Sequence, residues 1–165
     1  MANTLASHIS ASFIITGTPI YDYGALASTY SPGDIVYQTA DGTWTHADQD
    51  VAASLNYKLG IVGYKERILS TFAKSSIDSA YATTDTGVPI LLGFHGYGEF
   101  VCHIEDPGAT VYSHGRFLIS DTAGTAEALG AVAFSAAGDT EGAFYNVDTL
   151  VTGDTYMKAG VSGSL

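Results

Sequence analysis

Residues 88–120 read VPILLGFHGYGEFVCHIEDPGATVYSHGRFLIS. Their reading decides the fold class. Two apolar runs, Pro89–Phe94 and Glu99–Ile104, flank His95-Gly96-Tyr97-Gly98. Short runs rich in β-formers and bounded by glycines predict a hairpin in a β-rich core. Asp106-Pro107-Gly108 follows as a turn, since proline presets φ and glycine supplies φ > 0. Ala109–Tyr112 and Arg116–Ser120 then read as a second hairpin.

The Pro-Gly turn has an earlier counterpart. Pro32-Gly33-Asp34-Ile35-Val36-Tyr37 and Pro107-Gly108-Ala109-Thr110-Val111-Tyr112 share Pro-Gly-x-x-Val-Tyr. Each is followed by Leu-Gly-x-Val-x-aromatic, at Leu59-Gly60-Ile61-Val62-Gly63-Tyr64 and Leu129-Gly130-Ala131-Val132-Ala133-Phe134. Two linked parts recurring in one order suggest a supersecondary unit used twice, with length differences taken up in loops.

Working outward, Asp34–Thr39 pairs with Thr43–His46 across Ala40-Asp41-Gly42, where Asp-Gly is a hairpin signal. Asp48–Lys58 suits a short helical turn, and Leu59–Tyr64 a strand. Residues 66–81 carry apolar side chains at helical spacing, as one longer helix or an irregular excursion. Leu129–Ser135 and Gly142–Val147 read as strands around Ala137-Gly138-Asp139. Thr152-Gly153-Asp154-Thr155 is a further turn, and residues 159–165 have the composition of a flexible tail. Many short strands at turn-marked spacing predict a mainly β single domain, a barrel or sandwich, over residues 31–165. Residues 1–30 differ, being Ser/Ala/Thr-rich and weakly periodic. They read either as a loosely packed terminus or as an arm ordering on a partner through Ile14, Ile15, Tyr21, Tyr23 and Tyr30.

The chain has 165 residues, 46% hydrophobic, with 19 glycines and 11 tyrosines, enough for a buried core and tight turns. Six Lys+Arg stand against 17 Asp+Glu, a net charge of −11, which argues against partnership with nucleic acid or anionic membranes. The same balance suits a solvent of high salt, where screening relieves self-repulsion, or simply an acidic protein. Cys102 is the sole cysteine, so no internal disulfide or cysteine metal cluster forms. Beside Val101 it reads as a buried thiol behaving as a small hydrophobe. The N-terminus lacks the pattern of a signal peptide and no apolar run matches a membrane span, so the expected site of synthesis is the cytoplasm.

No pattern of catalytic chemistry stands out. His8, His46, His95, His103 and His114 lack metal-ligand spacing, although strands could converge His95, His103 and His114. His46-Ala47-Asp48-Gln49-Asp50 is an acidic loop short of a calcium pattern. Glycines around His95 and Tyr97 are flanked by strands, so they form no phosphate cradle, although aromatics between glycines can stack on sugars. The expectation is no enzyme, no cofactor and no metal.

The order Pro-Gly-x-x-Val-Tyr, polar hairpin, Leu-Gly-x-Val, then the same pair again, resembles small head-decoration proteins of tailed bacteriophages and archaeal tailed viruses. The resemblance spans residues 31–134 and rests on Gly33, Asp34, Val36, Gly60, Gly108, Val111 and Gly130. It implies a β-rich, commonly homotrimeric protein on the outer surface of an icosahedral shell, cementing the major capsid protein. The longer N-terminal segment and residues 66–86 depart from it and leave the attachment mode open. The competing reading is a surface module that recognises glycans or a receptor through exposed tyrosines and Trp44, which sits near the Asp41-Gly42 hairpin tip.

Overall fold

The computed structural model describes residues 14–47, 58–64, 80–104, 117–120, 132–134, 144–149, 151–154 and 156–164. These hold ten strands: β1 (Ile14–Thr16), β2 (Pro19–Gly24), β3 (Ile35–Gln38), β4 (Trp44–His46), β5 (Leu59–Val62), β6 (Val88–His103), β7 (Phe117–Ser120), β8 (Val132–Phe134), β9 (Phe144–Asn146) and β10 (Tyr156–Ser164). All ladders are antiparallel. They run in the order β4-β3-β5-β6-β10-β9-β7-β8, with β1 and β2 also on β6. The protein is mainly β, as its sequence predicts, and the sheet stays open. No helix occurs among the described residues. The helical readings over 48–58 and 66–81, the Asp106-Pro107-Gly108 turn and the hairpin from Ala109 lie mostly or wholly outside them.

The central stretch is not a hairpin. Residues 88–103 form one strand of 16 residues, and the glycines serve a bend within it. Gly93 and Gly96 take φ of 143° and 88°, accessible to glycine at little cost. A Cβ on Gly98 would lie 2.1 Å from the Phe94 ring, so that ring folds back across bare backbone. Both partner ladders slip here: Ile20 pairs with Gly93 but Tyr21 with Leu91, and Ser162 pairs with Tyr97 but Ser164 with Gly93. Such irregularities let a strand bend and serve different neighbours along its length. Residues 88–94 pair with β2, and residues 90–91 also with β5; residues 93–103 pair with β10, and Glu99 and Phe100 also with β1.

The expected flexible tail is likewise a strand. β10 pairs with β6 from Tyr156↔His103 to Ser164↔Gly93, and with β9 at Ala159 and Gly160. Its small residues serve packing, not disorder. β1 and β2 also lie within the sheet, so residues 14–30 are part of the domain.

Side chains alternate across a strand, and here both faces of the β3-β5-β6 region are covered. Ile35, Ile61 and Leu91 enter one apolar cluster, with Phe94, Phe100, Cys102, Met157 and Ala159 among its members. Their neighbours Val36, Val62 and Ile90 enter a second, with Leu26, Tyr30, Trp44, Tyr81 and Val88. Strands buried on both faces need continuous apolar runs, which explains why Ile90-Leu91-Leu92 lacks polar alternation. The second cluster is wrapped by its own strands. Ala27 N–H donates to Trp44 O (2.8 Å) and Trp44 N–H to Ala25 O (3.0 Å), tying the chain after β2 to the outer edge of β4. β2, β6, β5, β3 and β4 thus curl around Trp44, which is fully buried.

One turn is built three times. In Ser31–Asp34, Ala82–Asp85 and Val151–Asp154, the aspartate N–H donates to the first residue's carbonyl, and its carboxylate accepts that residue's N–H. The Asp34 and Asp154 copies contain glycines with φ of 94° and 86° at Gly33 and Gly153. The Asp41-Gly42 hairpin forms as predicted, joining β3 to β4 with Gly42 at φ 87°.

Candidate functional site

The anchors expected of an N-terminal arm separate into two groups. Ile15 (39% exposed) and Tyr23 (59% exposed) face solvent on β1 and β2. Ile14 and Tyr21 are half-buried against the main cluster. Burial, then the neighbouring Tyr23, pushes the Tyr21 phenol up to about 12, so it stays protonated at physiological pH. Tyr21 and Tyr23 project from the same face of β2, with ring centres 6.3 Å apart.

Tyr30 and Trp44 are corrections: they are interior residues, not surface anchors. Both are buried in the second cluster. Gly24 lies against the Trp44 indole, where a Cβ would come within 2.6 Å. Position near a hairpin tip does not determine facing, and Trp44 points inward because β4 supplies one wall of that cluster. Trp44 is therefore unavailable for stacking on a ligand. The Lys58 ammonium sits 5.6 Å from its ring centre and also pairs with Asp22.

Asp34 forms the principal buried polar site, and it joins distant parts of the chain. Its carboxylate accepts from Ser31 N–H (2.8 Å) and contacts His103 Nδ1 at 2.9 Å. His46 Nε2 lies 3.5 Å away, a close polar contact too long and poorly aligned to count as a hydrogen bond. Burial is the largest single influence on this carboxyl and opposes ionisation. The bond from His103, the nearby His46 ring, the electrostatic pull of His103 and the Ser31 N–H together outweigh it and hold the group below its ordinary value. An ionised carboxylate only accepts, so the shared proton at His103 sits on Nδ1. His103 stacks on Tyr156 (4.9 Å), and Tyr30 makes an edge contact with His46 (3.9 Å). The Tyr30 hydroxyl donates to Thr45 Oγ1 and accepts from His46 N–H, both at 3.2 Å.

This network clamps the start of β3 to β4 and to the end of β6. His103 N–H also donates to Gly33 O (2.9 Å). It has no metal geometry: among the described residues no group of three or more His, Cys, Asp or Glu side chains is placed to hold an ion. A convergence of His95, His103 and His114 falls partly outside the described residues. His95 is exposed at the bend and His114 lies outside the described residues, as do Asp48 and Asp50 of the acidic loop. Cys102 is buried, and burial raises its thiol well above the ordinary value, leaving it inert as predicted.

A second site is exposed, and only one of its members had a sequence signal. Tyr97, set between Gly96 and Gly98, is 44% exposed. Its hydroxyl donates to Glu99 Oε1 (2.6 Å), and its ring lies 6.5 Å from that of Tyr145, tilted by 20°. Partial loss of hydration, then the bond to Glu99, raises the Tyr97 phenol well above its ordinary value. It therefore remains a donor at any physiological pH. Aromatics between glycines were a hint toward Tyr97. Nothing local links it to Tyr145, which cross-strand register alone brings near.

No protein-family model matches this chain, and no curated protein matches it.

Proposed function

We propose that this chain is a structural virion protein, a capsid decoration protein on the outer surface of an icosahedral shell, which it stabilises without catalysis. Its partners in this reading are the major capsid protein and two further copies of itself in a homotrimer. The observation that carries it is the first copy of the repeated unit. Pro32-Gly33-x-x-Val36-Tyr37 and Leu59-Gly60-x-Val62 form one structural module: β3 pairs with β5 through Ile35↔Ile61, Val36↔Gly60 and Tyr37↔Leu59. The first-copy residues of the resemblance, among them Val36 and Gly60, therefore have a shared structural reason to occur together. Gly60 is needed because a Cβ there would lie 2.3 Å from Ile90.

Further support comes from the exterior. Ile15 and Tyr23 are exposed on the short strands β1 and β2, in the segment expected to meet a partner, and tyrosine is enriched at interfaces. A protein that binds the assembled lattice better than free subunits stabilises it by linkage alone. The acidic composition, a net charge of −11, fits a high-salt setting in the same reading. Quantitative mass spectrometry of purified virus particles tests the proposal by counting this chain against the shell protein. A ratio near one per shell subunit is expected. A few copies per particle favour a vertex or receptor-binding role, and absence from particles rejects the reading.

A further inference from the structure

Four adjacent strands bring one row of residues to a common face. Tyr145 on β9 lies opposite Gly160 on β10, Gly160 opposite Glu99 on β6, and Glu99 opposite Thr16 on β1. Residues directly opposite in a ladder share a face, and Tyr97, two before Glu99, shares it too. Gly160 is the floor of this patch. A Cβ there would stand 3.0 Å from both the Tyr145 ring and the Tyr97 hydroxyl, so the tyrosines rest against bare backbone. The result is two nearly parallel rings and a carboxylate oriented by the Tyr97 hydroxyl, with Tyr97 exposed and Glu99 and Tyr145 half-buried.

Among the described residues, none places a positive charge in the patch. Lys158 is on the same face, two residues before Gly160, but its Nζ lies 4.0 Å from Asp148 Oδ1. No cation among the described residues pairs with Glu99. The whole chain carries 6 basic residues against 17 acidic ones, so the surrounding field attracts cations and repels anions. Aromatic faces carry negative quadrupole charge and hold cations, more strongly beside a carboxylate. A planar guanidinium satisfies both elements at once, stacking on a ring while its fork of N–H donors meets the carboxylate. An ammonium offers only a point charge.

We propose that Tyr97, Glu99 and Tyr145, over Gly160, form a docking site for an arginine side chain presented by a partner protein. The site is defined by its own geometry and does not depend on the shell reading, so either proposal can fail without the other.

The test is an NMR titration of the full chain with a blocked arginine tripeptide, its lysine counterpart and a set of neutral oligosaccharides. The arginine peptide should shift resonances of Tyr97, Glu99 and Tyr145 with roughly millimolar affinity, as suits one side chain in isolation. The lysine peptide should bind several-fold more weakly. Glu99→Gln, a surface change checked by an otherwise superimposable spectrum, should abolish the arginine response. Tyr97→Phe keeps the ring but releases Glu99, and should give an intermediate loss. Equal responses to arginine and lysine overturn the assignment, as does silence at the highest soluble concentration. An oligosaccharide response at these residues that is unchanged in Glu99→Gln overturns it too, and makes the patch a glycan site.

Discussion

The two ends of β6 make different use of the same strand. Over residues 88–94 it has strands on both edges and an apolar cluster on each face, and Val88, Ile90, Leu91 and Phe94 are all buried. Beyond the bend, Phe100 and Cys102 still face the main cluster and Val101 is buried in it, but Tyr97 is exposed and Glu99 partly so. Burial on both faces leaves no room for recognition, whereas one open face can carry it at little structural cost. Stability should therefore reside at the first end and partner binding at the second. Substitutions at the two ends should separate these properties.

The largest effect is expected from Trp44→Ala. It empties the centre of the cluster that β2–β6 enclose, and truncating a buried large aromatic costs about 3–5 kcal/mol. Denaturant unfolding should show that loss. A cost under about 1 kcal/mol would mean that the cluster does not hold the first end together.

Gly98→Ala probes the bend itself. The added methyl overlaps the Phe94 ring, and overpacking of this kind costs about 3 kcal/mol where the ring cannot move aside. Phe94→Leu in the same chain should recover part of the loss, so the double variant should fall short of the additive cost. Strict additivity would show that Gly98 is required for some reason other than the ring.

These glycines also show how far sequence reading reaches. Gly33 and Gly42 were legible, because Pro-Gly and Asp-Gly announce turns through local backbone chemistry, and both take positive φ as required. Gly93, Gly96 and Gly98 present the same local signal, yet they bend one strand rather than reverse the chain. The difference lies in Phe94 reaching across Gly98 and in β10 pairing through the bend, both settled by packing. For the same reason a tail of small residues read as flexible is a strand, since β6 supplies its hydrogen bonds. The Asp34 network was illegible: His103 is 69 residues from Asp34, and no local pattern encodes that contact. Residue types do show which positions favour burial, but not which side of β4 carries Trp44.

Asp34→Asn asks whether the clamp between the two ends matters. Losing a charged partner of buried hydrogen bonds costs about 1–3 kcal/mol. The pH dependence gives a clearer signature. The folded carboxyl lies below its ordinary value of 3.8, so its contribution is fully present above that value and vanishes as pH falls through the folded one. The parent chain should lose stability in acid below about pH 4. The asparagine variant should lose less over the same interval, read from urea midpoints at stepped pH. Parallel acid limbs would show that other carboxylates govern acid unfolding.

The smallest effect on stability, and the one that separates the two ends most sharply, belongs to Tyr97→Ala. The side chain is 44% exposed and lies on the open face, so its removal should shift stability by no more than about 0.5 kcal/mol. The Tyr97 hydroxyl is also what orients Glu99, so the same variant should lose the arginine response even though it folds as well as the parent. A protein whose unfolding midpoint is unchanged and whose arginine response is gone would place recognition at this end of β6. Should Tyr97→Ala instead unfold as readily as Trp44→Ala, the open face would be part of the structural core, and the division between the two ends would fail.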